Sequence, residues 1–360
     1  MDLAGKKNMG SSGRTIRTYR RQIVIGAAVL LVILAAVCGC AGRDQPKTPD
    51  LATTQHEPGE PVEVRVGSLK GPTSLGLLFL MDKAGKGETA DTYTFRMAVG
   101  AEELVPLMAK GELDIALVPA NVAAILYGRM EGGVAVADLN TLGVLYVVSG
   151  TSGVESVADL KGRTILLTGK GTTPEAVLRK LCQENGLQEG DYHLEFKSEP
   201  AEVAALLVED PAALGLLPQP FVTAALARNP ALAIVMDLDQ EWRRMAGGEG
   251  GIVTGVTLVR RDFLEEHEEA VKRFLEEHAA SVAAMGADIQ AGAALAVEAG
   301  IIGQETVARE AIPGCNIACI TGEEMEETLS AYLSVLWEFD PELTGGSLPK
   351  EDFYYVIPGS

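Results

Sequence analysis

Four short stretches carry the glycines and side chains best suited to holding a small polar molecule: Lys70-Gly71-Pro72-Thr73-Ser74, Pro119-Ala120-Asn121, Gly169-Lys170-Gly171-Thr172-Thr173-Pro174 and Pro218-Gln219-Pro220. Each stands where a strand-like run gives way to a helical one. In an open α/β sheet, ligands bind beyond the carboxyl ends of the strands, where helix N-termini aim unpaired N–H groups and a positive dipole end outward. Gly71 and Gly171 let the backbone approach closely, Thr73, Ser74, Thr172 and Thr173 add hydroxyls, and Asn121 and Gln219 add amides that both donate and accept. These stretches read as cradles for an anion or polar group. The competing reading gives Thr73, Ser74 and Thr173 a purely local role as helix N-caps. Gly250-Gly251, followed by Thr254-Gly255, offers a fifth contact through Thr254 or simply a hinge. No arginine lies in the four stretches, so Lys70, Lys170 and backbone N–H groups are the cationic or dipolar help for an anion.

The elements that must position these loops repeat. From residue 62 onward, strand-like runs alternate with helical patterns, the signature of βαβ units and a largely parallel sheet. A first set of strands is expected at 62–66, 93–99, 114–118 and 143–148, with helices at 74–83, 102–110 and 121–130. A second set is expected at 164–167, 192–197, 213–217 and 231–237, with helices at 174–185, 201–208 and 221–228. Lys70-Gly71-Pro72-Thr73 is matched one hundred positions on by Lys170-Gly171-Thr172-Thr173, and Leu117-Val118-Pro119-Ala120 ninety-nine positions on by Leu216-Leu217-Pro218-Gln219. Two similar lobes follow, and equivalent loops of two lobes facing one cleft would supply all the polar groups together.

After the second set comes one more strand, 255–259, and then helices. Leu264, Val271, Phe274, Leu275 and Val282 keep one apolar face while Glu265, Glu266, Glu269 and Glu276 occupy the other. His267 and His278 on this Glu-rich helix read as solvated. Met325, Leu329, Tyr332, Leu333 and Leu336 repeat the apolar pattern behind Thr321-Gly322-Glu323-Glu324, a capping-box signature.

The first forty residues read as an address. Six basic residues against the single acid Asp2 precede the uncharged apolar run 23–37, which is shorter than the roughly 20 residues a membrane-spanning helix needs. Directly after it stand Cys38-Gly39-Cys40 and a polar, Pro-rich stretch. This resembles a bacterial lipoprotein box with its tether, Cys40 carrying the lipid, with Cys38 as the other processing position. A plain signal peptide or a short anchor is the alternative, and all three readings export the rest. Of the remaining cysteines, Cys182 falls on an apolar helix face, while Cys315 and Cys319 are spaced for a disulfide only if they lie in a loop.

Composition excludes several classes. The chain has 360 residues, 47% of them hydrophobic and 22% charged, enough for two domains with sizeable cores. Thirty basic residues against fifty acidic ones give a net charge of −20, which becomes −25 once residues 1–39 are removed. Nucleic acid is repelled by such a surface. Four histidines and five cysteines without CxxC or HExxH spacing give no transition-metal signature. No GxSxG, phosphate-loop or GxGxxG pattern is present, and acidic pairs such as Glu102-Glu103, Glu265-Glu266 and Glu323-Glu324 fit exposed faces or helix starts. Catalysis and cofactors are therefore not expected.

With these residues in hand, the chain resembles the solute-binding lipoproteins of ABC importers, in the nitrate, sulfonate, taurine and thiamine-precursor group. The resemblance rests on VRVGSLKGPTS at 64–74, GELDIALVPAN at 111–121, LPQPFVTAALA at 217–227, IPGCNI at 312–317 and DFYY at 352–355. It covers residues 62–355. It implies the type II periplasmic-binding fold, in which two α/β lobes, each a mostly parallel sheet flanked by helices, close on a ligand and then dock on a permease. The expected organisation is a leader at 1–39, a tether at 40–61, a first lobe from 62–149 and 252–345 around a second lobe at 150–251, and a tail at 346–360. The chain crosses between lobes near 147–150 and 250–254. The implied partners are a small polar or anionic organic solute, an ABC permease and, through the N-terminal lipid, a membrane; the protein acts as a monomer. A menaquinone-pathway dehydratase on the same fold is the runner-up, and a ligand-binding sensory lipoprotein a third reading.

Overall fold

The computed structural model describes residues 60–246 and 250–356. The leader, most of the tether and Cys40 lie outside the described residues. Two sheets organise the rest. The first contains β1 (Glu63–Leu69), β2 (Thr92–Ala98), β3 (Ile115–Pro119), β4 (Val134–Thr141), β10 (Gly255–Arg260) and β11 (Ile317–Ile320), in the order β11-β4-β10-β3-β1-β2. The second contains β5 (Leu145–Ser149), β6 (Thr164–Leu167), β7 (His193–Phe196), β8 (Leu214–Pro218) and β9 (Ala233–Asp237), in the order β7-β6-β8-β5-β9.

The expected repeat is present with one exchange. β1 pairs in parallel with β2 and β3, as β6 does with β7 and β8. Each sheet also contains an inner antiparallel strand from the far side of a chain crossing: β10 returns to the first sheet after the second is built, and β5 enters the second from the first. The counterpart of β9 is therefore β4, not the run at 143–148. All eight residues of β4 are buried, including Asp138, Asn140 and Thr141. A strand covered on both faces has no polar alternation, and its three polar residues resemble a surface turn. Because β5 belongs to the second sheet, the first crossing falls at 142–144, ahead of the expected 147–150. The second runs between the helix Leu238–Met245 and β10, spanning the expected 250–254.

The two crossings lie side by side. A Cβ on Gly143 would stand 2.4 Å from the Asp239 carboxylate, which accepts the Ile252 N–H at 2.8 Å, and the Thr254 N–H donates to the Thr141 carbonyl at 3.0 Å. Asn316 braces the first crossing: its carbonyl accepts the Leu142 N–H at 3.0 Å and its side-chain amide donates to the Gly143 carbonyl.

Helices fall close to their expected places. The segment expected at 74–83 is two helices, Pro72–Leu75 and Leu78–Lys86, and the helices after β2, β3, β6, β7 and β8 are Ala101–Ala109, Ala120–Arg129, Thr173–Glu184, Pro200–Glu209 and Phe221–Arg228. The long helix Glu268–Ala287 buries Val271, Phe274 and Leu275 as expected, and with them His278, which is 0% exposed. His278 is therefore not solvated. It sits seven positions after Val271 and four after Phe274, which places it on the apolar face. The helix Gly322–Phe339 starts at Thr321 without a side-chain cap bond. Cys182, Cys315 and Cys319 are free thiols, so no bridge joins the last two; the Cys315 thiol donates instead to the Ala311 carbonyl at 3.2 Å.

Candidate ligand-binding cleft

A cavity of about 510 Å³ opens between the lobes at the carboxyl ends of the parallel strands. The loop after β1 brings Lys70, Gly71 and Thr73 to its wall, and the loop after β6 brings Gly169, Lys170, Thr172 and Thr173. Gly169 and Gly171 adopt φ of 76° and 73°, left-handed values that side chains with a Cβ disfavour, and this lets the loop turn sharply into the helix Thr173–Glu184. Thr254, from the second crossing, completes the floor.

Two further loops join them. Val99 and Gly100 follow β2, and Lys197 and Ser198 follow β7, and all four line the cavity with Glu102 and Phe196. The loops after β2 and β7 share a brace. Glu103 accepts the Val99 N–H at 3.0 Å, and ninety-nine positions later Glu202 accepts the Ser198 N–H at 3.0 Å. Glu175 does the same for Gly171 at 2.7 Å. Each is a glutamate in the first turn of a helix reaching back along the chain, so the loops are held before any ligand arrives. The repeat thus contains a working pair that the sequence reading did not use, although the rule of strand ends points to these loops as well.

Of the expected residues, Gly71, Thr73, Thr172, Thr173 and Thr254 line the cavity, whereas Ser74, Asn121, Gly171 and Gln219 stand behind or beside it. Most of their polar hydrogens are committed within the protein. The hydroxyl of Ser74 is fully buried and lies 2.6 Å from both Ser68 Oγ and the Leu69 carbonyl; Thr73 donates to the same carbonyl at 3.1 Å. Thr172 donates to the Gly169 carbonyl at 2.7 Å, and Thr173 to Asn121 Oδ1 at 3.4 Å. Gln219 Oε1 accepts from both the Thr223 N–H and hydroxyl, at 3.2 and 2.9 Å. None of Thr73, Thr172 and Thr173 acts as a side-chain cap of its helix. Their oxygens keep lone pairs for a ligand donor. Thr254 differs: its hydroxyl is buried and finds no partner among the described residues. A buried hydroxyl without a partner is costly, and a ligand acceptor at the cleft floor would satisfy it.

The charge of the cavity wall opposes that of the whole molecule. Among the described residues, Lys70, Lys170 and Lys197 line it against one carboxylate, Glu102, in a chain of net charge −20. Lys197 is held by Glu195 at 2.8 Å, a hydrogen bond that raises its pKa above the ordinary lysine value. The Lys170 ammonium stands 5.8 Å from the centre of the Phe196 ring, within cation–π range. The helices Ala101–Ala109, Thr173–Glu184 and Pro200–Glu209 all begin at this wall, so their positive dipole ends add to the lysines. Val99, Phe196 and Pro200 supply an apolar flank. Such a site can hold a small molecule with an anionic head and an apolar or flat body.

The family model described as Menaquinone biosynthesis, VitK2_biosynth, matches residues 80–314, more than half of the chain. The chain belongs to this family. The menaquinone-biosynthesis family has the fold of the periplasmic binding proteins, and solved structures with that fold superpose on most of this chain. An ABC transporter protein from Parabacteroides distasonis is 21% identical, with 81% of this chain and 98% of that one covered and a TM-score of 0.68. The alkanesulfonate-binding protein of Xanthomonas axonopodis pv. citri, solved with MOPS, is 16% identical over 81% and 96% of the two chains, with a TM-score of 0.63. The periplasmic aliphatic sulphonate binding protein of Escherichia coli is 15% identical over 81% and 96%, also with a TM-score of 0.63. Among curated proteins none matches the sequence.

Proposed function

We propose that this member of the menaquinone-biosynthesis family is an extracytoplasmic solute-binding protein, held at the membrane by lipid on Cys40, that captures a small anionic organic solute and delivers it to an ABC permease. The observation that carries the proposal is the cleft itself: three lysines, three helix N-termini and the unpartnered Thr254 hydroxyl converge from two lobes on one cavity of about 510 Å³. The absence of arginine from the expected loops leaves the lysines and the dipoles to hold the anion, with Thr73, Thr172 and Thr173 accepting from solute hydroxyls or amines. The sulfonate-binding neighbours support an organic sulfonate or carboxylate as the class. Asn121, Gly171 and Gln219 would serve closure rather than contact.

Native mass spectrometry of protein purified without ligand exchange tests the reading. A co-purifying small anion, followed by calorimetric binding of that compound at one site per chain, is the expected result. For the anchor, metabolic labelling with a fatty-acid analogue should mark the wild type and not Cys40→Ser; equal labelling of both would remove the lipid assignment.

The family match supports a second reading, an enzyme of the dehydratase type that removes water from a carboxylate substrate in the same cleft. Glu102, the one carboxylate on the cavity wall among the described residues, would then be the candidate base. The readings separate cleanly: a solute recovered unchanged after saturating incubation favours capture, and a dehydrated product lost in Glu102→Gln favours catalysis.

A further inference from the structure

Three chemically unlike side chains meet inside the first lobe, and none of them lines the cleft. Asp138 on β4 and His278 on the helix Glu268–Ala287 are fully buried, and Cys319 on the edge strand β11 is half-buried. Asp138 Oδ2 lies 3.0 Å from His278 Nδ1 and 3.8 Å from Cys319 Sγ, and one ligand atom from each residue falls within 4.8 Å of the others.

We propose that Asp138, His278 and Cys319 form a zinc-binding site. Zinc takes oxygen and nitrogen at about 2.0–2.2 Å and thiolate sulfur at about 2.3 Å, so the edges of its coordination tetrahedron are roughly 3.3–3.6 Å. The observed separations of 3.0 and 3.8 Å bracket those edges, and small side-chain rotations bring the three atoms onto one ion. The fourth corner is left to water or to the Leu275 carbonyl, which stands 3.9 Å from the sulfur.

Charge supports the ion independently. Among the described residues no lysine or arginine pairs with Asp138; its side chain meets the Thr257 hydroxyl at 2.8 Å, His278 and the Cys319 thiol. A carboxylate buried without a firm cation is costly, whereas Zn²⁺ held by one carboxylate, one thiolate and a neutral imidazole is electrically balanced. His278 Nε2 is buried and has no partner among the described residues; it faces Gly76, where a Cβ would come within 3.1 Å. A metal bond at Nδ1 replaces the hydrogen bond to Asp138, and Nε2 keeps facing Gly76. On binding, the imidazole carries its proton on Nε2, and the proton displaced from the Cys319 thiol passes to solvent.

The ligands come from positions 138, 278 and 319, far apart in the chain, so no spacing motif announces them. The test uses the full chain with Cys38 and Cys40 replaced by serine, so that the leader thiols bind nothing. Cobalt(II) is the spectroscopic probe and zinc the competitor. The expected result is one metal per chain, with a near-ultraviolet sulfur-to-cobalt band that zinc abolishes. The band should persist in Cys182→Ser and Cys315→Ser and vanish in Cys319→Ser. Asp138→Asn, close in shape and able to keep the fold, should weaken zinc by at least roughly 100-fold, the upper range for losing a group that only orients a ligand. A wild-type chain that is folded by circular dichroism yet takes up neither metal overturns the proposal. So does a cobalt band that survives Cys319→Ser.

Discussion

Asn121 of the first lobe donates its side-chain amide to the main-chain carbonyl of Gly171 in the second, at 3.0 Å, and its amide oxygen faces the Thr173 hydroxyl at 3.4 Å. One buried side chain thus joins the loop after β3 to the loop after β6 and holds the lobes together beside the cleft. Asn121→Ala removes both contacts. Each neutral hydrogen bond contributes about 0.5–1.5 kcal/mol net, so with both lost the variant should bind its solute roughly 5- to 140-fold more weakly. Small-angle scattering should also show a larger radius of gyration than wild type in the absence of solute. Equal radii and equal affinities would remove the latch.

Lys70→Gln and Lys170→Gln test the anion reading. A hydrogen bond to a charged group contributes about 1.5–3 kcal/mol, which corresponds to roughly 10- to 100-fold in affinity for a contacting lysine. Wild-type affinity should fall as salt rises, and the variants should respond less. Calorimetry at two ionic strengths measures both effects; an affinity independent of salt and of both lysines points to a neutral solute.

Asp114 is the electrostatic keystone of the first sheet. It is 1% exposed and accepts from Arg65 Nε at 2.8 Å, from the Arg65 N–H at 2.9 Å and from Arg260 at 3.3 Å. Removing one member of a fully buried pair costs roughly 3–5 kcal/mol. The Arg65 side chain is 36% exposed and can be rehydrated, so about 2–3 kcal/mol is expected for Asp114→Ala, read as a lower urea midpoint. A change below about 0.5 kcal/mol, the scale of an ordinary surface substitution, would contradict the role.

Alkaline pH should unfold the protein through its thiols. Burial pushes Cys182 up to about 11 and Cys315 up to about 12, from an ordinary value of 9.0. The unfolded chain gives up these protons as pH passes 9 while the folded chain keeps them. Stability from this source is intact below pH 9 and falls above it, by about 1.4 kcal/mol per pH unit for each thiol. Urea unfolding at pH 8 and pH 10 should show the loss, and Cys315→Ala should lessen it; identical slopes in the two proteins would refute the assignment for Cys315.

The parts of the molecule readable from sequence are those where local chemistry and tertiary role agree. The loops at 70 and 170 were visible because a strand end, glycine, threonine and a helix start must be adjacent in the chain to make such a turn. β4 was not, because burial on both faces removes alternation and admits Asp138 and Asn140. Asn121 was visible as a polar residue at a helix start, but its partner fifty residues away was not, and that partner turns a presumed solute contact into a bond between lobes. The same holds for His278, whose spacing from Val271 and Phe274 marked its face while its glutamate neighbours suggested water.

The exchange of β5 and β10 between the sheets also sets an order of completion for the growing chain. Every strand of the second sheet lies between residues 145 and 237, whereas the first sheet begins at Glu63 and lacks β10 and β11 until residues 255–320 have been made. The lobe begun first is finished last. Until then the edges of β3 and β4 that β10 will pair stay open, while the second sheet already has all its strands.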